Sequence, residues 1–195
     1  MAIAGWHERP GSALDYAHGR WRSVGACVAG GFRRGLVVGV AVSPRNFLLR
    51  CVEPGLALLP AYMTSDMARV LLMAIAGQES GWSARAQVGG PALGYWQFEQ
   101  AGVDGVMSVT ASLAAAVLST LDLLRPNAYA ALEYNDPLAC AFARLLLWSD
   151  AAPLPAIGDA AGGWDYYVRN WRPGKPDQTR WGPAYATAVQ TVGAT

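Results

Sequence analysis

Side chains able to do acid–base or metal chemistry are few in this sequence, and they are unevenly placed. Both histidines, His7 and His18, lie near the amino terminus. A Ser-His-Asp or Cys-His device farther along would have to recruit that stretch, and transition-metal sites lose their commonest ligand. No GxGxxG or GxxxxGK[ST] segment cradles a phosphate. The expectation is therefore chemistry without a metal or a cofactor. What remains is carboxylate, tyrosine and the single lysine, Lys175. Two carboxylates stand out: Glu79, which ends the apolar run "MAIAGQES", and Glu99, which follows "GYWQF". Carboxylate-only chemistry in a helical domain points to cleavage of a glycosidic bond before most other reactions.

Glu79 is placed as a general acid should be. At a helix carboxyl end it lies near the negative pole of the macrodipole, which disfavours ionisation. If Trp82, Tyr95 and Trp96 wall it, desolvation pushes in the same direction. The bland alternative is a helix end, a turn and a piece of core. Glu99 lies two residues after Gln97, on the same side of an extended segment. As a base activating water it would make an inverting hydrolase; otherwise it is a solvated residue or a cap for the next helix.

The stretch Glu79-Ser80, followed by Gly94-Tyr95-Trp96-Gln97, resembles the lysozyme-like superfamily, and within it the lytic transglycosylases and phage-encoded muralytic domains. The resemblance covers residues 44–195. It implies a lysozyme-like helical domain with a small β-hairpin after the helix that carries the catalytic Glu. It implies that Glu79 is the catalytic acid and that Gln97 contacts substrate from the hairpin. Ser80 would orient the acid or fix the turn. Gly94 would shape the cleft, through a positive φ or a close approach of the sugar. Tyr95 and Trp96 would lie against sugar rings, unless they belong to the core. A Tyr-Asn element of the family has one close match here, Tyr134-Asn135, where Asn135 also reads as a helix cap. The implied substrate is the peptidoglycan glycan strand, cut between MurNAc and GlcNAc. The implied setting is a phage virion or a host cell after release, with other virion proteins as possible partners. Two alternatives stay open: a lysozyme-like module without catalysis that binds the wall or builds the virion, and an inverting muramidase using Glu79 with Glu99.

The elements that would position these residues follow from pattern. The fold class expected is mainly α, with the hairpin as its β component. Ser43-Pro44 is a cap followed by proline in the first turn, opening a helix that runs to Pro54. Thr64 and Ser65 offer a cap for the clearest helix, from Asp66 to about Glu79, with a wide apolar face. Gly89-Gly90-Pro91 and Gly94 break regular structure, leaving "AQV" and "YWQF" for the hairpin. Thr110–Leu124 is read as one helix and "AYAALEY" as a short one. Asn135-Asp136-Pro137 starts an almost wholly apolar helix to Trp148, which belongs at the centre. "WDYYVRNW" is helical, with Asp165 and Arg169 four apart and placed to pair. After the loop "RPGKPDQTR", Gly182-Pro183 opens a last helix to about Val192.

Composition bounds the rest. The chain has 53% apolar and 15% charged residues, enough for one compact domain and too few charges for a disordered chain. A net charge of +1 gives no electrostatic case for nucleic acid. Three scattered cysteines, Cys27, Cys51 and Cys140, read as buried thiols rather than a disulfide framework. No 18-residue apolar run supports a membrane span. Residues 1–43 lack a sustained period, carry five arginines against two acids, and read as a poorly ordered extension, expected to be dispensable or to precede the natural start. "GFRRGLVVGVAVSP" lies too far from Met1, and its apolar run is too short, for a secretion signal. Residues 44–195 read as the catalytic domain.

Overall fold

The structure, a computed structural model, describes residues 42–193. The extension expected over residues 1–43, and Cys27 within it, lie almost wholly outside the described residues. The architecture is mainly helical. Helix α1 (Pro44–Phe47) passes through a π-helical turn (Leu48–Val52) into α2 (Glu53–Ala57). There follow α3 (Asp66–Ser80), α4 (Gln100–Val109), α5 (Ala111–Thr120), α6 (Ala128–Ala131), α7 (Asp136–Trp148), α8 (Ala160–Trp171) and α9 (Gln178–Gly193).

The π-turn explains why the first helix does not stop at Pro54. A proline ring ordinarily collides with the carbonyl four residues back. The wider turn gives the ring room, and the helix continues to Ala57. It buries Phe47, Leu48, Cys51, Val52 and Leu56 against α7.

Helix α3 is the element that places the candidate acid. Ser65 accepts a hydrogen bond from the Ala68 amide at 3.1 Å, and Asp66 sits in the first turn. The helix ends where Gly81 takes a left-handed conformation, φ 60°, and its amide reaches back to the Gly77 carbonyl at 3.1 Å. Val70 to Gln78 are buried without interruption, so α3 is enclosed on all sides rather than amphipathic. Its main neighbour is α9, and the two approach closely at Gly77, where an added Cβ would lie 2.5 Å from the Trp82 ring and 3.0 Å from the Ala184 methyl.

Helix α7 runs through the centre, as its composition requires. Asn135 caps it by accepting from the Leu138 amide at 3.0 Å, and Leu138 to Leu145 are all buried. Cys51 and Cys140 are buried free thiols. Buried Arg144 gives its Nε to the Met63 carbonyl at 2.8 Å.

Several boundaries differ from the pattern. The segment read as one helix over Thr110–Leu124 begins earlier and is broken: α4 and α5 meet at 109° around Thr110. The Thr110 hydroxyl bonds the Val106 carbonyl at 2.7 Å, tying off α4. Helix α9 starts at Gln178, before Gly182-Pro183, because Asp177 accepts from the Thr179 amide and hydroxyl and nucleates the turn there. Arg169 does not pair with Asp165; its guanidinium meets Asp150 at 2.7 Å, across to the loop after α7. Where a hairpin was expected there are two isolated antiparallel bridges, Ala86 with Leu93 and Leu93 with Phe98. Positive φ at Gly89, Gly94 and Gln97 keeps the segment turning, so no ladder extends. Among the described residues no single helix is long and apolar enough to cross a membrane.

Candidate active site

The last turn of α3 carries Gln78, Glu79 and Ser80, and the side chains of both Gln78 and Glu79 act on Tyr167. Gln78 is buried and its amide donates to the Asp177 carbonyl at 3.0 Å, holding the start of α9 against α3. The Gln78 Oε1 is buried without a hydrogen-bond partner. Ser80 returns its hydroxyl to the Ala76 carbonyl at 2.9 Å, and its own carbonyl accepts the Ser83 hydroxyl at 2.9 Å. Its side chain is thus spent on the helix and its backbone on the following turn, so Ser80 fixes the turn rather than meeting a substrate.

Glu79 is partly buried, and its Oε1 accepts a hydrogen bond from the Tyr167 hydroxyl at 2.6 Å. Burial pushes its carboxyl from 4.5 up to about 7. The Tyr167 hydrogen bond and the charge of Arg180 pull the other way without cancelling the desolvation. Tyr167 itself is pushed well above the usual phenol range, by burial first and then by Glu79, so it remains a donor. The result is an acid half-ionised near neutrality, with a neutral phenol directed at one oxygen and a guanidinium nearby.

Tyr167 comes from α8, and its position is set by stacking. Its ring lies 5.4 Å from Trp181 at an interplanar angle of 14°, and 5.4 Å from Trp164. Trp181 in turn anchors its indole N–H on the Ala160 carbonyl at 2.7 Å. Trp171 packs on Phe98 at 5.4 Å and donates to the Trp96 carbonyl at 3.0 Å, joining α8 to the segment after α3. Trp82 folds back on α3, its N–H on the Met73 carbonyl at 3.1 Å.

The aromatic wall therefore differs from the expected one. Tyr95 and Trp96 are core residues, 1% and 0% exposed. Trp96 gives its N–H to the Leu72 carbonyl at 2.9 Å, and Tyr95 packs edge-on against Phe47. They cannot lie against a sugar; they hold the segment behind the acid. Gly94 has the positive φ anticipated, 72°, but it faces protein: an added Cβ would lie 2.8 Å from the Leu132 carbonyl. Gln97, at φ 50°, closes that same turn by donating its side-chain amide to the Gly94 carbonyl at 2.8 Å. Tyr134 is 80% exposed, and Asn135 beside it serves as the cap of α7. Glu99 is exposed at the N-cap position of α4, where it acts on Tyr129. The groups acting on the Glu79 carboxyl are Tyr167 and Arg180.

The chain matches no protein-family model, no curated protein and no solved structure. Tyr167 and Arg180 are the partners of Glu79 that the sequence did not point to. The signal available was the spacing of Trp164, Tyr167 and Trp171 along one face of α8, a stripe that reads as core in a sequence. A cavity of about 370 Å³ lies elsewhere, at the corner of α4 and α5, lined by Met107, Ala114 and Leu118 among others. It includes none of the Glu79 group, so cavity size does not mark the chemistry here. Among the described residues no cluster of His, Cys, Asp and Glu is arranged to hold a metal ion.

Proposed function

We propose that the chain cleaves the MurNAc–GlcNAc bond of peptidoglycan in the manner of a lytic transglycosylase, with Glu79 as acid and then base. One observation carries the reading: a carboxyl in the last turn of a buried helix, desolvated to about 7 and held by a tyrosine hydroxyl at 2.6 Å. An acid tuned to the working pH is what general acid catalysis requires. The Glu-Ser and Gly-x-x-Gln resemblance points to the same branch.

In this scheme protonated Glu79 gives its proton to the glycosidic oxygen as the bond to the anomeric carbon breaks. The leaving sugar departs as an alcohol, and positive charge develops on the remaining ring. The Glu79 carboxylate, now hydrogen-bonded by Tyr167, takes the proton from a hydroxyl of that same sugar as its oxygen attacks the anomeric carbon. An anhydro ring closes and Glu79 is protonated again. No second carboxylate is needed, which accords with Tyr167 and Arg180 being the groups that act on Glu79. The inverting alternative needs Glu99 as a base across the bond.

A module without catalysis has no use for a buried acid. Desolvating a carboxyl lowers stability, and strongly shifted acids cluster at sites where chemistry uses them, which favours the enzyme over the inert module. The test is turnover of purified peptidoglycan. Glu79→Gln should fold normally and lose at least ~100-fold in rate, the lower range for removing a general acid. Wall-degrading activity that survives this change intact would end the assignment.

A further inference from the structure

Arg180 stands beside the Glu79–Tyr167 pair, where its charge acts on Glu79, and the scheme above gives it no contact with substrate. It occupies the first turn of α9, immediately before Trp181, whose ring stacks on Tyr167. Its Nη2 reaches the Gly77 carbonyl at 3.5 Å, and an added Cβ on Gly81 would lie 3.9 Å from the same atom. The guanidinium thus lies over the carboxyl end of α3, at the rim of the turn that follows Glu79. It is exposed, and among the described residues it ion-pairs with no carboxylate. Gln78 holds the backbone of Asp177 three residues earlier, so the start of α9 that carries Arg180 is tethered to α3 next to the acid.

We propose that Arg180 is a specificity residue that binds a carboxylate of the glycan strand, the lactyl or stem-peptide carboxylate of the muramyl unit, and so favours charged peptidoglycan over neutral glycans of the same backbone. This rests on the reading of Glu79 as the catalytic acid. The chemistry fits the site. A planar guanidinium offers several donors in a fork matched to a carboxylate, and only one weak bond to Gly77 engages it here. The uncharged edges of the sugars give no such partner. Of the charged groups near Arg180, Asp177 directs its carboxylate to Thr179, and Glu79 is partly protonated near neutrality. A substrate anion therefore meets a guanidinium that feels Glu79 and Asp177 but closes no ion pair with either.

The test compares purified peptidoglycan strands with the same strands after their carboxylates are converted to amides. Arg180→Gln should raise KM on native strands about five-fold, the worth of a partly exposed charge pair, and leave KM on amidated strands nearly unchanged. Arg180→Lys should recover part of the native-strand affinity. Any effect of Arg180 on the ionisation of Glu79 is common to both polymers and cancels in the ratio. An equal change on the two polymers would overturn the proposal while leaving the Glu79 reading intact. If the wild-type chain cleaves neither polymer, cosedimentation decides. Preferential binding of native strands that is lost in Arg180→Gln supports charge recognition and removes the enzyme reading. Equal binding by both proteins removes charge recognition as well.

Discussion

Glu79 holds its proton to a higher pH in the folded chain than in the unfolded one, about 7 against 4.5. Between those values the folded state keeps a proton that the unfolded chain has released, so stability falls as pH rises through the window. Glutamine has no proton to lose. Glu79→Gln should therefore be more stable than the wild type near pH 8, on the order of 2–3 kcal/mol, and equal to it near pH 4. Thermal midpoints at the two pH values measure this, and identical midpoints at both would show a solvated carboxyl. Tyr167→Phe keeps the ring on Trp181 and removes the donor. Losing that bond raises the Glu79 pKa further, so the alkaline limb of the pH–rate profile should move to higher pH. Turnover should drop roughly ten-fold, the scale of a hydrogen bond to a charged group. A profile that stays in place would separate Tyr167 from the chemistry.

The elements around the acid depend on two glycines for different reasons. Gly94→Val meets both a left-handed φ of 72° and the Leu132 carbonyl at 2.8 Å. It should cost about 3 kcal/mol or more in urea unfolding, so any loss of activity would follow from loss of fold. An unchanged urea midpoint would contradict the packing described for that turn. Gly77→Val places a methyl-bearing carbon against the Trp82 ring and Ala184, and should push α3 and α9 apart. The expected signature is a lower melting temperature together with loss of activity, since α9 carries both Trp181 and Arg180. Much of this scaffold was legible. The Thr64-Ser65 pair and Asn135 announced their helices by type and position, and the apolar run of α7 announced the centre. The misses each have a local cause. A π-turn excused Pro54, Thr110 broke a continuous apolar stretch into two helices, and Asp177 started α9 before its glycine and proline. Tyr95 and Trp96 looked like a sugar platform because aromatic composition is the same for a core and a cleft.

At the scale of the whole molecule, the candidate site is a junction. Glu79 arrives on α3 and Tyr167 on α8, 88 residues later, while Arg180 arrives on α9. One partner of this group was visible in the sequence because a carboxylate at a helix end is a local signal. The others were not, because only tertiary packing brings α8 and α9 over the end of α3. The packing that joins them is aromatic: Tyr167 stacks on Trp181, Trp164 meets both rings at a steep angle, and Trp171 links the cluster to Trp96. Removing the stack should disable the acid without touching it. Trp181→Ala should lose activity and lower the alkaline limit of the Glu79 pH profile as water reaches the carboxyl; a profile unchanged in position would show that the stack does not desolvate it. In the proposed reaction Glu79 breaks a glycosidic bond without a second carboxylate. This is tested most directly by mass spectrometry of the sugar ends released from purified peptidoglycan by the wild type, Glu79→Gln and Glu99→Gln. Anhydro-muramic ends are expected from the wild type and from Glu99→Gln, and none from Glu79→Gln. Reducing ends from the wild type that vanish in Glu99→Gln would contradict that reaction.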